Sequence, residues 1–300
     1  MPLVLVIGDV MTDVIVRPDG PIAVGSDRRA VIRALQGGAG ANQACWLAAE
    51  GVGVRFAARV GASDHARQKL ALAAYGVDAR LGADEVAPSG TLITLLAPDG
   101  ERSFLTDRAA NLNLGRSDLP HSLLDDVDLV HVSGYALFEA GPRAAVHDLL
   151  AEVRRRGIPF SVDPASYSFL QEIGAGSFLN WTRGARFVFP NEDEAATLTG
   201  ENDPHKQLDA LLQNYEIVVI KRGAEGAVAG EARTGARLSS AAKRVAAIDT
   251  SGAGDAFLGG FICAQLRGEG LSAALARGVE LGSQAVTHLG ARPPFPARQA

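Results

Sequence analysis

The sequence predicts an α/β protein: a three-layer α/β/α domain with a small β-sheet lid. Three observations predict it. Short, continuous apolar runs recur along the 300 residues, as in Val4-Leu5-Val6-Ile7. Strands buried on both faces of a parallel sheet read this way. Between these runs lie helical patterns, and strand–helix alternation points to a parallel sheet covered by helices. In two places the alternation gives way to paired strand-like segments.

In chain order, strands are predicted at Val4–Ile7, Arg55–Val60, Asp128–Val132, Phe160–Val162, Phe187–Phe189, Ile217–Ile220 and Val245–Ile248. Helices are predicted at Ala41–Ala49, Ala66–Tyr75, Arg143–Arg156, Glu192–Leu198, Lys206–Gln213, Ala256–Arg267 and Ala273–His288. The exceptions are Val14–Arg17 with Ala30–Ala34, after Pro18-Asp19-Gly20, and Thr91–Leu96 with Ser103–Thr106, around Pro98-Asp99-Gly100. Proline presets φ and glycine supplies a positive φ, so Pro-Asp-Gly between apolar runs marks a turn. Residues 13–35 and 91–107 are therefore expected to form a β lid. Residues 1–12, 36–90 and 108–300 would then form the core that binds nucleotide and substrate.

Composition narrows the function. Apolar residues are 47% and charged residues 21%, values of an ordered globular chain. With 29 basic against 34 acidic residues the net charge is −5, a poor balance for neutralising nucleic-acid phosphates. Two cysteines, Cys45 and Cys263, make no disulfide framework. No apolar run reaches the ~18 residues of a membrane span, and the N-terminus carries no basic leader. A cytoplasmic protein without nucleic-acid or membrane partners is expected. Glycine is frequent, 34 of 300 residues against a usual ~7%, so close backbone approach to a ligand is expected.

The most informative stretch is Asp249-Thr250-Ser251-Gly252-Ala253-Gly254-Asp255, ahead of an apolar helix. A helix N-terminus offers unpaired N–H groups and the positive end of the dipole to an anion. Gly252, Ala253 and Gly254 let a phosphate come close. A carboxylate beside such a site repels a static anion, but it serves as a base for a hydroxyl attacking phosphorus. Asp255 is the candidate base. A plain N-cap at Ser251 or Asp255 is the alternative.

Three further stretches accompany it. Gly37-Gly38-Ala39-Gly40-Ala41-Asn42 opens a helix and is read as a glycine floor with Asn42 as hydrogen-bonder. It is neither a Walker loop nor a dinucleotide fingerprint. Asn191-Glu192-Asp193-Glu194 follows a strand; Asn191 suits an N-cap and the carboxylates suit water around Mg²⁺. In Lys221-Arg222-Gly223-Ala224-Glu225-Gly226, glycines three apart suit a loop over a nucleotide.

In order and spacing these motifs resemble the ribokinase-like carbohydrate kinases of phosphofructokinase-B type, from Gly8 to Pro296. The resemblance implies an ATP-dependent phosphotransferase acting on a primary hydroxyl of a sugar or sugar derivative. It implies Asp255 as base and Gly252–Gly254 as the anion hole. Asp13, Gly38 and Asn42 match positions that hold sugar hydroxyls. Asn191 and Glu194 match the pair that organises Mg²⁺ and phosphates, and Lys221, Gly223 and Gly226 match the loop at the nucleotide. Asp249, with Ser251, Ala285, His288 and Gly290, matches the monovalent-cation loop, which makes K⁺ a further expected ligand. The resemblance also implies a homodimer through the lid.

Departures bear on the acceptor. Met11, Ala39 and Ser133-Gly134-Tyr135 stand where ribokinase proper has polar ribose partners, so another acceptor is expected. Arg102 or Arg108, if inward, suits an acidic sugar. Tyr135 or Phe104 suits the base of a nucleoside, which makes a nucleoside kinase of the same fold the first alternative. A non-catalytic sugar- or nucleotide-binding regulator is the second.

Overall fold

The computed structural model describes residues 1–22, 24–96 and 102–294. The expected Pro98-Asp99-Gly100 turn and Pro296 lie outside these residues. In chain order the elements are β1 (Leu3–Ile7), β2 (Met11–Pro18), β3 (Ala30–Gly37), α1 (Ala39–Ala49), β4 (Gly53–Gly61), α2 (His65–Ala73), β5 (Asp78–Asp84), β6 (Gly90–Leu96) and β7 (Arg102–Asp107). Then come β8 (Leu129–Ser133), α3 (Tyr135–Phe138), α4 (Ala140–Arg155), β9 (Phe160–Asp163), α5 (Tyr167–Ile173), α6 (Ala175–Thr182), β10 (Phe187–Val188) and α7 (Glu192–Thr199). The chain continues with α8 (Pro204–Leu211), β11 (Ile217–Lys221), β12 (Ala227–Glu231), β13 (Arg237–Ser240), α9 (Ala253–Leu266) and α10 (Leu271–Ala285).

The large sheet has the order β13-β12-β11-β10-β9-β8-β1-β4-β5. From β11 to β5 all neighbours are parallel; β12 and β13 continue the edge antiparallel. Alternation along β1 divides the core. Leu5 and Ile7 join a cluster with α4 to α8, while Val4 and Val6 join one with α1, α2, α9 and α10. All four side chains are fully buried, which is why the strand reads as an unbroken apolar run. The expected three layers are these.

The two departures from strand–helix alternation form the second sheet, ordered β3-β2-β6-β7. Of its strands, β2 begins at Met11, β3 ends at Gly37 and β6 begins at Gly90, slightly beyond the expected segments. Two other expectations are corrected. Val245–Ile248 is no strand; Ile248 N–H instead donates to the Val286 carbonyl at 2.8 Å. The helix expected from Ala256 starts at Ala253, placing Asp255 in its first turn. The strands β5, β12 and β13 and the helices α5 and α6 carry no pattern strong enough to be read from sequence.

Candidate active site

In a parallel sheet every strand delivers its next residue to the same edge, where ligands of such sheets sit. Asp9 follows β1, Tyr135 follows β8, and Asp163 and Lys221 end β9 and β11. Between that edge and the small sheet lies a cavity of about 730 Å³. Nine expected site residues line it: Asp13, Gly38, Asn42, Arg108, Asp249, Ser251, Gly252, Asp255 and Gly290. Ala253, Gly254, Ala285 and His288 belong to the surrounding turns and helices without lining it. Asn191, Glu194, Lys221, Gly223 and Gly226 lie outside its lining, beside the ends of β10 and β11.

The turn into α9 is fixed by Gly252. Its φ is +74°, in the left-handed region, and a Cβ there would overlap the backbone of Ala291. Left-handed geometry costs other residues roughly 1–2 kcal/mol. Gly252 is thus the N-cap, with no side-chain cap, so neither Ser251 nor Asp255 acts as one. Asp249 braces the turn: its carboxylate accepts from Ser251 N–H at 3.0 Å and Gly290 N–H at 3.1 Å.

Asp255 is held by Asn42, whose amide donates to Oδ2 at 3.2 Å. Burial pushes its carboxyl well above the usual carboxylate range and the charge of Asp163 adds to this; the Asn42 bond and Lys221 oppose it. Asp13, packed against Gly37, is pushed up to about 6 by burial and by Asp9, with Arg292 opposing and Asp249 adding. Asp13 Oδ1 and Asn42 Oδ1 are buried acceptors without a protein partner. Such atoms are uncommon in folded proteins, and two that line one cavity ask for donors from a ligand.

Lys221 turns inward. Its ammonium donates to Asp163 at 2.9 Å and lies beside Gly254, at the N-terminus of α9. Burial alone would lower its pKa, but Asp163 and Glu194 outweigh this and raise it. Asn191 and Glu194 form a capping box: Asn191 Oδ1 accepts from Glu194 N–H at 2.8 Å, and Glu194 accepts from Asn191 N–H at 2.8 Å. Burial raises the Glu194 carboxyl against the pull of Lys221. Gly223 and Gly226, both with positive φ, shape the turn from β11 to β12, where Arg222 N–H donates to the Gly226 carbonyl at 2.8 Å.

Three functional candidates are absent from the sequence reading. Asp9 accepts from Gly40 N–H at 2.9 Å and pairs with Arg108 at 3.1 Å. Asp163 anchors Lys221. Arg292 is buried, donates to the Gly37 carbonyl at 3.3 Å and offsets the charge of Asp13. The first two were open to detection, since each is an ionisable residue at the end of a buried strand. Arg292 had no such signal. Arg108 faces the cavity, but it is spent on Asp9 and on the ring of Tyr135, 4.1 Å below its guanidinium carbon. The side chain of Arg102 is not among those described.

Comparison with known proteins shows the family. The chain is 29% identical to a fructokinase of Escherichia coli, covering 99% of this chain and 97% of that one. It is 26% identical over 188 residues to an ATP-dependent 6-phosphofructokinase of Thermoanaerobacterium thermosaccharolyticum, a match spanning 61% of this chain and 58% of that one. In structure it resembles a ribokinase-II-type protein of Escherichia coli crystallised with ATP and Mg²⁺. There the TM-score is 0.84 at 24% identity, over 97% of this chain and 94% of that one. With the model of the "pfkB family carbohydrate kinase" matching residues 1–298, the chain belongs to the pfkB family of carbohydrate kinases and is an ATP-dependent kinase.

Proposed function

We propose that the enzyme transfers the γ-phosphoryl group of ATP to a primary hydroxyl of a sugar or sugar derivative in this cavity, with Asp255 as base. The observation that carries the reading is a half-buried carboxylate in the first turn of an apolar helix, facing a cavity with unsatisfied acceptors. The acceptor oxygen bonds to the γ-phosphorus, the bridging P–O bond breaks to release ADP, and the hydroxyl proton passes to Asp255. The N–H groups at Gly252, Ala253 and Gly254 meet the charge on the transferring group, where such donors contribute most. Asp13 and Asn42 accept hydrogen bonds from acceptor hydroxyls. Gly38 lets the acceptor approach the backbone.

Lys221, Gly223 and Gly226 are proposed to lie along the nucleotide, with the Lys221 ammonium close to its phosphates. No group of three or more metal-ligating side chains occurs among the described residues. The oxygen donors of Asn191 and Glu194 would suit Mg²⁺, a hard cation that takes oxygen ligands and keeps several waters. Asn191 and Glu194 would hold its waters; when bound, the ion neutralises phosphate charge. A monovalent cation such as K⁺ is proposed at Asp249 with the backbone of Ser251, Ala285, His288 and Gly290, because the Asp249 carboxylate already ties Ser251 to Gly290. It would order the turn at Gly252.

Residues 13–35 and 91–107 are proposed to act as a lid that excludes water from the reaction. The lid's outer face carries Val14, Val16, Ile32, Ile93, Leu95 and Leu105, alternating with the residues that line the cavity. Ile32 is 63% and Leu105 58% exposed. Contiguous apolar surface of this kind supports a homodimer through the lid. Ile32→Glu is expected to leave a monomer by light scattering; an unchanged mass contradicts that interface. A kinase drawing on cellular ATP is proposed to work in the cytoplasm.

The test is acceptor-dependent ADP release across ribose, fructose, 2-keto-3-deoxygluconate, adenosine and inosine, with Mg²⁺ and with or without K⁺. ATP binding with no acceptor phosphorylated would favour a regulator. With raised pKa values, Asp255 and Asp13 are protonated in acid and inactive as acceptors. The acceptor kcat/KM should therefore fall as pH drops through about 6, by up to about tenfold per unit. A flat profile between pH 5 and 8 contradicts these roles.

A further inference from the structure

The cavity also restricts what the acceptor is, given the reading of Asp13 and Asp255 above. The lid's inner face is built in two rows. Nearest the hinge, Leu35, Asp13, Leu92 and Thr106 stand side by side across the four strands. One pleat further out stand Ile15, Thr94 and Phe104. Same-face residues on one strand are about 6.6–6.8 Å apart. A sugar ring held at Asp13 therefore occupies the first row, and only a group attached beyond it reaches the second. That second row joins two apolar side chains to the hydroxyl of Thr94 and ends in Phe104, 60% exposed within a cavity wall. From the core side α5 brings Tyr167, 50% exposed, to the lining, flanked by Ser166 and Ser168. Large aromatic surface is thus offered by both walls, with hydroxyls that donate or accept beside it.

Charge narrows the choice again. The lining contains four carboxylates, Asp9, Asp13, Asp249 and Asp255, and among the described residues one cation, Arg108. Arg108 is committed to Asp9 and to the ring of Tyr135. An acceptor with a phosphate or carboxylate of its own would meet net negative charge and no uncommitted cation in that lining. The acidic-sugar expectation loses its support here. We infer that the acceptor is an uncharged nucleoside, its pentose on the first row with the primary hydroxyl toward Asp255 and its base on the second row facing Phe104 and Tyr167. The 5′-oxygen then forms the new bond to phosphorus, ADP leaves, and the proton goes to Asp255, giving a nucleoside 5′-monophosphate.

Initial rates with MgATP and adenosine, inosine, uridine, D-ribose or D-fructose test this, on the wild type, F104A and D255N. The expected result is a nucleoside whose kcat/KM exceeds that of either free sugar by at least about 100-fold. F104A should raise the KM of that nucleoside roughly tenfold, the scale of one lost aromatic–base stack. Its kcat should stay within about twofold, and ribose KM and the thermal midpoint should not move. Faster turnover of a free sugar than of every nucleoside, abolished by D255N, overturns the inference and leaves the kinase reading standing. Nucleoside turnover indifferent to F104A overturns the placement of the base. ADP release with no acceptor at all overturns both readings.

Discussion

Asp255→Asn is expected to abolish turnover while ATP binding is retained. The amide keeps the shape of the side chain and its place in the first turn of α9, so the cavity stays intact. What it loses is the ability to take a proton. A positioned base typically contributes 10²–10⁴-fold, so kcat should fall by about 10³-fold. The Kd for ATP, measured by calorimetry, should change by less than about threefold, because no role in holding ATP is proposed for this carboxylate. Removing a negative charge beside the phosphates can tighten ATP slightly. A variant within tenfold of wild-type kcat would remove Asp255 from the mechanism. Burial raises its pKa, which makes it a better base once ionised, at the cost of activity in acid.

Lys221→Met should have the largest effect on stability. The ammonium is the partner of Asp163 at 2.9 Å, with both side chains mostly buried, and it also balances Glu194. Removing one partner of a buried pair leaves an uncompensated charge and typically costs about 3–5 kcal/mol. A loss of about 3 kcal/mol is expected in urea denaturation, together with a weaker anion site at Gly254. Glu194, raised by burial against the pull of Lys221, can escape by taking up a proton, so its folded pKa rises further in the variant. Stability that depends on a raised carboxyl pKa is present at low pH and lost as pH rises. The deficit should therefore be smaller at pH 5 than at pH 8. A deficit independent of pH would mean that packing of the lysine stem, not its charge, supports the site.

Most of the scaffold was legible because its physics is local. Val4–Ile7 and Ile217–Ile220 are buried on both faces, so they read as strands without knowledge of their neighbours. The turn at Gly252 was legible for a similar reason, since the start of a helix carries unpaired N–H groups in any context. Elements without such a signature escaped. The strand β13 alternates partly exposed and exposed residues at the sheet edge. Val245–Ile248 has strand-like composition but no neighbour to pair with, and tertiary context decided against it.

Site residues divide the same way. Asp255 and Asn42 belong to different helices 213 positions apart, and sequence alone gave each a role but not their hydrogen bond. The inward turn of Lys221 depends on Asp163, 58 residues earlier. Arg108 shows the limit most clearly. Its position beside a predicted lid strand pointed to an anionic acceptor, yet Asp9, nearly 100 residues away, already neutralises it. Charge available to a substrate is a property of the assembled cavity.

The most direct test of the central claim is the identity of the products formed by wild-type enzyme with MgATP and an acceptor that stimulates ADP release. Phosphorus NMR should show one phosphomonoester on a primary carbon, formed in equal amount to ADP, and no such signal with Asp255→Asn. ADP accompanied only by inorganic phosphate would contradict the account, because the cavity would then activate water and not an acceptor hydroxyl.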